Sequence, residues 1–526
     1  MKRSAGILLP VFSLPSPYGI GSLGKEARAF ADFLHDAGQT WWQILPVGPT
    51  GGGDSPYTSS STFAGNPLFI DLESLAEDGL LTKEDLKEAE VPQGGRVDYG
   101  TVRKTHSALL RRAFSHITPE LAEKVRAFRN EHPWVREYAM YQALHDKYDS
   151  RAWWDWPEDG LRRHDRAAID RIQTDVEPET AYHAWEQYTF FQQWRALKKY
   201  VNSLGIGIIG DLPIYVSLDS ADVWSERKQF QLDEAGRPKK VAGVPPDYFS
   251  TEGQLWGNPL YDWDVMKKDG FGWWIRRVEG AVALFDAIRI DHFRGLESYW
   301  AVPAGAKTAK EGAWEKGPGL DLVKVLTSWF HDTTYIAEDL GILTDAVHEL
   351  RDAAGLPGMK VLEFAFSDPN NAYLPQHYVR NCICYTGTHD NDTAVGWYEA
   401  ARPEEKAFAD KYLGLSGDDP QAARKALLRL GQGSVANLFV AQMQDYLGLD
   451  GSARINVPGV VGGNWGWRMA PDALTEELAE EVRDLTETYS RCDMRPKADK
   501  ADKKAAKEAE KAAKKSDKAA EKSGKK

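Results

Sequence analysis

Four short apolar runs in this chain each lead to a carboxylate, and that pattern leaves few folds open. They are Ile208-Ile209-Gly210-Asp211, Ala287-Ile288-Arg289-Ile290-Asp291, Tyr335-Ile336-Ala337-Glu338 and Tyr385-Thr386-Gly387-Thr388-His389-Asp390. A β-branched run that stops on an acid fits a buried parallel strand whose C-terminal end delivers a polar side chain. Asp291 and Glu338 are 47 residues apart, and Glu338 and Asp390 are 52 apart. Each interval has room for one or two strand–helix repeats. A (β/α)8 barrel, the TIM barrel of the α/β class, collects residues from several strand ends on one face, where barrel enzymes carry out their chemistry.

Several acids on one such face point to the breaking of glycosidic bonds. One carboxylic acid must protonate the leaving oxygen, and a second carboxylate must attack the anomeric carbon or activate water, because the transition state is oxocarbenium-like. A third can hold sugar hydroxyls and favour the positive charge. Arg289, two residues before Asp291, points to the same side of a strand and is expected to keep Asp291 ionised, as a nucleophile requires. Glu338 must instead stay protonated, in a less polar site or close to another acid. Taken singly, a strand-end acid more commonly caps a helix or pairs with an arginine. The argument rests on four in series.

The Arg-x-Asp, Glu-Asp-Leu-Gly and His-Asp segments resemble conserved regions of the α-amylase superfamily. The wider match is to the 4-α-glucanotransferases (amylomaltase or disproportionating enzyme), glycoside hydrolase family 77. It runs through Gly6-Ile7-Leu8-Leu9-Pro10, Tyr18-Gly19-Ile20-Gly21, Gly53-Asp54-Ser55-Pro56-Tyr57 and Gly210-Asp211-Leu212-Pro213-Ile214-Tyr215-Val216. It continues in Gly243-Val244-Pro245-Pro246-Asp247-Tyr248-Phe249, Gln254-Leu255-Trp256-Gly257-Asn258-Pro259 and Gly463-Asn464-Trp465-Gly466-Trp467-Arg468. The resemblance implies Asp291 as nucleophile, Glu338 as acid/base and Asp390 as transition-state stabiliser. It further implies substrate binding at Tyr57, Tyr99, Asp247, Gln254, Trp256, Arg289, His292, His389 and Asn464.

Composition bounds the reading independently. With 526 residues, 42% of them apolar, the chain can bury a large core, and no apolar stretch approaches membrane-spanning length. A minimal barrel takes about 250 residues, so roughly as many again belong to insertions. A net charge of −13 argues against a nucleic-acid partner and suits a polyhydroxyl substrate. Three cysteines make no disulfide framework, and Cys382 and Cys384, two apart on an expected strand, share a face. The start, Met1-Lys2-Arg3 and an apolar stretch, superficially resembles a signal peptide, but Pro10, Pro15 and Pro17 break the would-be helix and no small-residue cleavage site follows. The expected location is the cytoplasm.

Residues of about 74 to 180 are charged, helix-periodic and short of strands, and Thr118-Pro119 reads as a helix start. This is expected to be an α-helical insertion between barrel strands, within a catalytic unit of 1–495. A second excursion, about 219 to 272, is rich in Gly, Pro and aromatics and is expected to be a long active-site loop region. From Pro496 the chain is nearly all Lys, Ala, Asp and Glu, with 12 Lys against 6 acids. It cannot bury a core and is expected to be a disordered tail.

Trp and Tyr suit sugars because a pyranose has apolar C–H faces and hydroxyl rims. Most of the 19 Trp serve the core, while Trp256 and Trp465 stand in loop sequence. Trp153, Trp154 and Trp156 form a cluster readable as an accessory glycan surface or as packing. Gly19, Gly21 and Gly24 spell a dinucleotide fingerprint, but the preceding prolines deny it the strand it needs, so it reads as a tight loop at the barrel rim. The histidines lack metal spacing, and Asp390-Asn391-Asp392 is not followed by an acidic ligand loop. No metal or organic cofactor is expected.

The family resemblance favours transfer of an α-1,4-glucan segment to the 4-hydroxyl of glucose or another glucan, by retaining double displacement. A hydrolytic amylase would use the same acids and differ only in favouring water. A non-catalytic glycan binder on the same fold would not need all three acids.

Overall fold

The computed structural model describes residues 2–92, 95–246, 250–341 and 343–493. The expected tail from Pro496 and the expected binding residue Asp247 lie outside the described residues. Eight short strands form the barrel: β1 (Ser4–Leu8), β2 (Trp41–Gln43), β3 (Gly207–Leu212), β4 (Ala287–Ile290), β5 (Thr334–Ala337), β6 (Gly358–Val361), β7 (Cys382–Tyr385) and β8 (Leu438–Gln442). Every paired neighbour is parallel and consecutive, and β8 pairs with β1 from Ser4 opposite Leu438 to Leu8 opposite Gln442. The seam between β5 and β6 is held by the Ala337 N–H on the Pro357 carbonyl, 2.9 Å. Beyond it, the Met359 N–H donates to the Asp339 carboxylate, 2.7 Å, so a side chain adds the next rung.

The strands are buried on both faces, which is why they read as continuous apolar runs rather than alternating ones. Cys382 and Cys384 lie in β7, both buried and unpaired. In the loop between β1 and the following α-helix, a Cβ on Gly21 would lie 1.9 Å from the Val11 carbonyl oxygen, so the glycine-rich segment is close-packed.

Between β2 and β3 the chain is helical. Pro119–Glu131 starts as its sequence indicates, with the Thr118 hydroxyl accepting from Leu121 N–H. The last helix of this stretch, Arg166–Ser203, is 38 residues long with Pro178 inside it. Its C-terminal half reaches the barrel wall, where Trp194 Nε1 donates to the Leu284 carbonyl at 3.1 Å.

The expected long loop at 219–272 carries two short helices, Ala221–Ser225 and Trp263–Lys268, and two strands. Its strands Lys240–Val244 and Gln254–Pro259 join Ser298–Pro303 and Ala313–Lys316, from beyond β4, in a four-stranded antiparallel sheet. Half of this sheet comes from each side of β4, so no local hairpin signal announces it. One face puts Ala242, Tyr299 and Ala301 into the main core, while Val241 and Val302 pack with Ala309 in a small cluster on the other.

At the Trp153, Trp154 and Trp156 cluster, the packing reading holds for two of the three rings. Trp153 and Trp156 are fully buried, their indole N–H groups donating to the carbonyls of Leu218 and Arg151. A ring that large lowers the free energy more by being buried with its N–H satisfied than by standing in water.

Candidate active site

The acids gather because each follows a barrel strand. Asp211 belongs to β3, Asp291 and Glu338 directly follow β4 and β5, and Asp390 comes five residues after β7. Backbone bonds carry the ladder one step past the strands: Asp291 N–H donates to the Leu212 carbonyl at 3.0 Å and Glu338 N–H to that of Ile290 at 3.1 Å. The acids on adjacent strands are thereby held at one level of the barrel mouth.

Arg289 sits beneath them, 3% exposed. Its Nη1 donates to both oxygens of Asp211, at 2.7 and 2.6 Å, and to Asp291 Oδ1 at 3.0 Å. Asp211 also accepts the Tyr57 hydroxyl at 2.6 Å, and the same hydroxyl lies 2.9 Å from His389 Nε2. Glu338 is fixed differently, by two backbone groups: Oε2 accepts from His292 N–H at 2.7 Å and Oε1 from Leu340 N–H at 3.1 Å. The first of these bonds has a backbone cost, since His292 holds φ +50°, the left-handed region. That conformation turns its N–H toward Glu338.

Burial pushes Glu338 up to about 7, against which Arg289 and the two backbone donors act only in part. Its direction is the one a general acid needs. Asp291 is also pushed well above the ordinary carboxylate range, first by burial and then by the charges of Asp211, Glu338 and Asp390, with Arg289 opposing. Arg289 thus stands where the sequence places it, but it divides its charge between Asp211 and Asp291 and does not by itself outweigh burial. Burial drives His292 down to about 3 and lowers His389 too, so both imidazoles are neutral at pH 7.

Asp390 is held by residues that no sequence signal marked. Asn456 Nδ2 donates to its Oδ1 at 2.6 Å, and Arg454 Nη2 donates to its backbone carbonyl at 2.6 Å. Both come from a loop more than sixty residues further on. Asp211 was legible as the fourth strand-end acid, and its place as the shared partner of Arg289 and Tyr57 emerges from the fold.

The other expected binding residues divide into two groups. Trp256 is 37% exposed, edge-on to the His292 ring at 4.9 Å, with its Nε1 donating to Gln254 Oε1 at 3.1 Å. Tyr57 stacks on His389 at 5.3 Å, and Trp465 packs against both rings. These line the cavity mouth beside the acids. Tyr99 and Asn464 stand one layer back. The Tyr99 hydroxyl donates to the Trp465 carbonyl at 2.9 Å, and Asn464 spends its amide on the backbone of Val457 and Val460. They shape the loop that presents Trp465.

One set of metal-type donors lies close together among the described residues, Asp146, Glu179 and His183 in the helical stretch. Both nitrogens of His183 are engaged, by Asp146 at 2.9 Å and Glu186 at 2.8 Å, and Arg111 pairs with Glu179 and Asp146. The group is a closed ion-pair network.

A (β/α)8 barrel whose C-terminal mouth holds clustered carboxylates, a shared guanidinium, neutral imidazoles and aromatic rings defines a carbohydrate-active enzyme acting on glycosidic bonds. The chain belongs to the 4-alpha-glucanotransferase family, whose profile matches residues 9–475. It is similar to the 4-alpha-glucanotransferase of Thermus thermophilus, 48% identical over 502 residues that cover 93% of this chain and 99% of that one. It is 44% identical to the 4-alpha-glucanotransferase of Clostridium butyricum, covering 92% and 100% of the two chains. Among solved structures, the amylomaltase from Streptococcus agalactiae in complex with acarbose superposes with a TM-score of 0.91 at 38% identity, covering 94% of this chain and all of that one.

Proposed function

We propose that this 4-α-glucanotransferase works by double displacement, with Asp291 as nucleophile, Glu338 as acid/base and Asp390 as stabiliser of the cationic transition state. Glu338 gives its proton to the glycosidic oxygen as that bond breaks, and an Asp291 oxygen forms the new bond to the anomeric carbon. The leaving sugar departs as the free alcohol. In the second half, Glu338 takes the proton of an acceptor 4-hydroxyl, whose oxygen displaces Asp291. Asp211 and Arg289 set the charge around the nucleophile, Tyr57, His292 and His389 face sugar hydroxyls, and Trp256 faces a pyranose ring.

The observation that carries the role assignment is the contrast in partners: Asp291 is paired to a guanidinium, while the half-buried Glu338 is held by neutral backbone N–H donors. Two carboxyl groups whose surroundings treat them differently are what acid and nucleophile require. The substrates are α-1,4-glucans and maltooligosaccharides, with glucose among the acceptors. We place the enzyme in the cytoplasm, a reading supported by three cysteines that form no disulfide among the described residues. No helix among the described residues is long and apolar enough to cross a membrane.

The test is bond counting. With maltotriose, transfer should release glucose and build longer oligosaccharides with little growth in total reducing ends, because each bond broken is replaced. Reducing ends rising in step with bond cleavage would instead identify water as the main acceptor.

A further inference from the structure

The antiparallel sheet beside the barrel mouth carries an aromatic row that the catalytic chemistry does not use. Trp314 is opposite Trp300, Trp300 is opposite Gly243, and Gly243 is opposite Leu255, so these positions cross all four strands on one face. Three strand spacings give the row a length of about 14 Å. Leu255 at 40% and Trp314 at 43% are unusually exposed for such residues. Trp300 lies between them, its ring 5.1 Å from that of Trp314 and its Nε1 donating to the Ala309 carbonyl at 2.7 Å. At Gly243 a Cβ would meet the Gln254 carbonyl oxygen at 2.5 Å, and at Gly312 one would meet the Trp300 ring at 2.2 Å, so both glycines are close-packed.

The row is tied to the site at its Trp314 end. Leu255 alternates with Gln254 and Trp256, so its side chain leaves the strand on the face opposite the Trp256 ring that touches His292. At the far end, the Arg294 guanidinium lies 3.9 Å from the centre of the Trp314 ring, and Arg294 is three residues past Asp291. Lys316, two residues beyond Trp314 and so on the same face, pairs with Glu297. The surface is therefore narrow, with two indole rings at the Trp314 end, a leucine at the other, and charge at its border. A flat protein interface would need a broader apolar centre. A single glucan strand needs this arrangement, with rings for its C–H faces and polar groups for its hydroxyl rims.

We propose that the Leu255–Trp300–Trp314 row is a platform for the distal units of a long α-1,4-glucan whose reacting end lies at Asp291. The proposal rests on the function given above and extends it to chain-length preference: short donors occupy the barrel mouth alone, and long ones gain the platform.

The test compares full-length wild type with Trp314→Ala and Trp314→Phe, using maltotriose and a long linear amylose as donors. Trp314→Ala should raise KM for amylose about tenfold and leave maltotriose kinetics within about twofold. Trp314→Phe should recover most of the loss. An equal fall on both donors would mark Trp314 as scaffold and overturn the proposal, as would unchanged amylose kinetics. Affinity electrophoresis in amylose gels of Asp291→Asn protein, with and without Trp314→Ala, reads the platform without turnover. Retardation must weaken in the double variant, and equal retardation also overturns the proposal. Failure of the wild type to transfer from maltotriose would count against the proposed function, while the gel result still decides the platform.

Discussion

Asp211 and Asp291, on neighbouring strands, share a single nitrogen of Arg289, which lies within 3.0 Å of both. Neither acid can be altered without changing the charge felt by the other. Asp211→Ala should leave a buried guanidinium short of its main partner, a change that costs about 3–5 kcal/mol when one member of a buried pair is removed. The loss is measured as a shift in denaturant midpoint. Turnover should fall with it, since the Tyr57 hydroxyl loses its acceptor.

Asp291→Asn, Glu338→Gln and Asp390→Asn should each reduce turnover by orders of magnitude, with circular dichroism unchanged. Asn456→Ala offers a finer test of how Asp390 is held. A hydrogen bond to a charged group contributes about 1.5–3 kcal/mol, so turnover should fall about 10- to 100-fold with little change in KM. If Asn456→Ala kept full turnover, its bond to Asp390 would be incidental.

Glu338 acts first as an acid, so kcat/KM should decline as pH rises through about 7. The same shift has a stability consequence of known sign. The native state holds this proton more tightly than the unfolded chain, so the contribution of Glu338 is fully present below its ordinary value of 4.5 and is lost as pH rises to about 7. Glu338→Gln should flatten that part of the stability profile, measured by urea unfolding at a series of pH values. A profile identical to wild type would mean that the carboxyl is not perturbed.

Trp256 and Trp156 should respond in opposite ways to truncation. Trp156→Ala removes a fully buried ring and should cost about 3–5 kcal/mol of stability. Trp256→Ala should leave stability nearly unchanged and weaken sugar binding by about 1–3 kcal/mol, as ring stacking on nucleobases does. Melting temperature and KM separate the two outcomes.

The barrel and its acids were readable because a fully buried parallel strand has a plain signature, an apolar run with a polar stop. Asp211, Asp291 and Glu338 all follow from it. Asp390 needed more, since five residues separate it from its strand and Asn456 and Arg454 hold it from a distant loop. The antiparallel sheet was missed because its strands are contributed from both sides of β4, and pairing between distant segments leaves no local pattern. Trp153, Trp154 and Trp156 left two readings open because a cluster of indoles looks the same in sequence whether it faces a sugar or the core. Tyr99 and Asn464 match binding positions, and their hydrogen bonds to the loop that carries Trp465 are partners no sequence pattern reveals.

The β5–β6 seam gives the active site a mechanical grain. Asp291 and Glu338 stand on one side of it, on strands joined by a full ladder, and Asp390 stands on the other, beyond β6 and β7. Across the seam the strands are coupled by the Ala337–Pro357 bond and the Asp339 side chain rather than by a continuous ladder. The separation of nucleophile and acid is therefore fixed by one shared ladder. The span from that pair to the third carboxylate is fixed instead across the seam by two isolated bonds and, the other way round the barrel, by the unbroken run of strands from β4 back through β1 and β8 to β7.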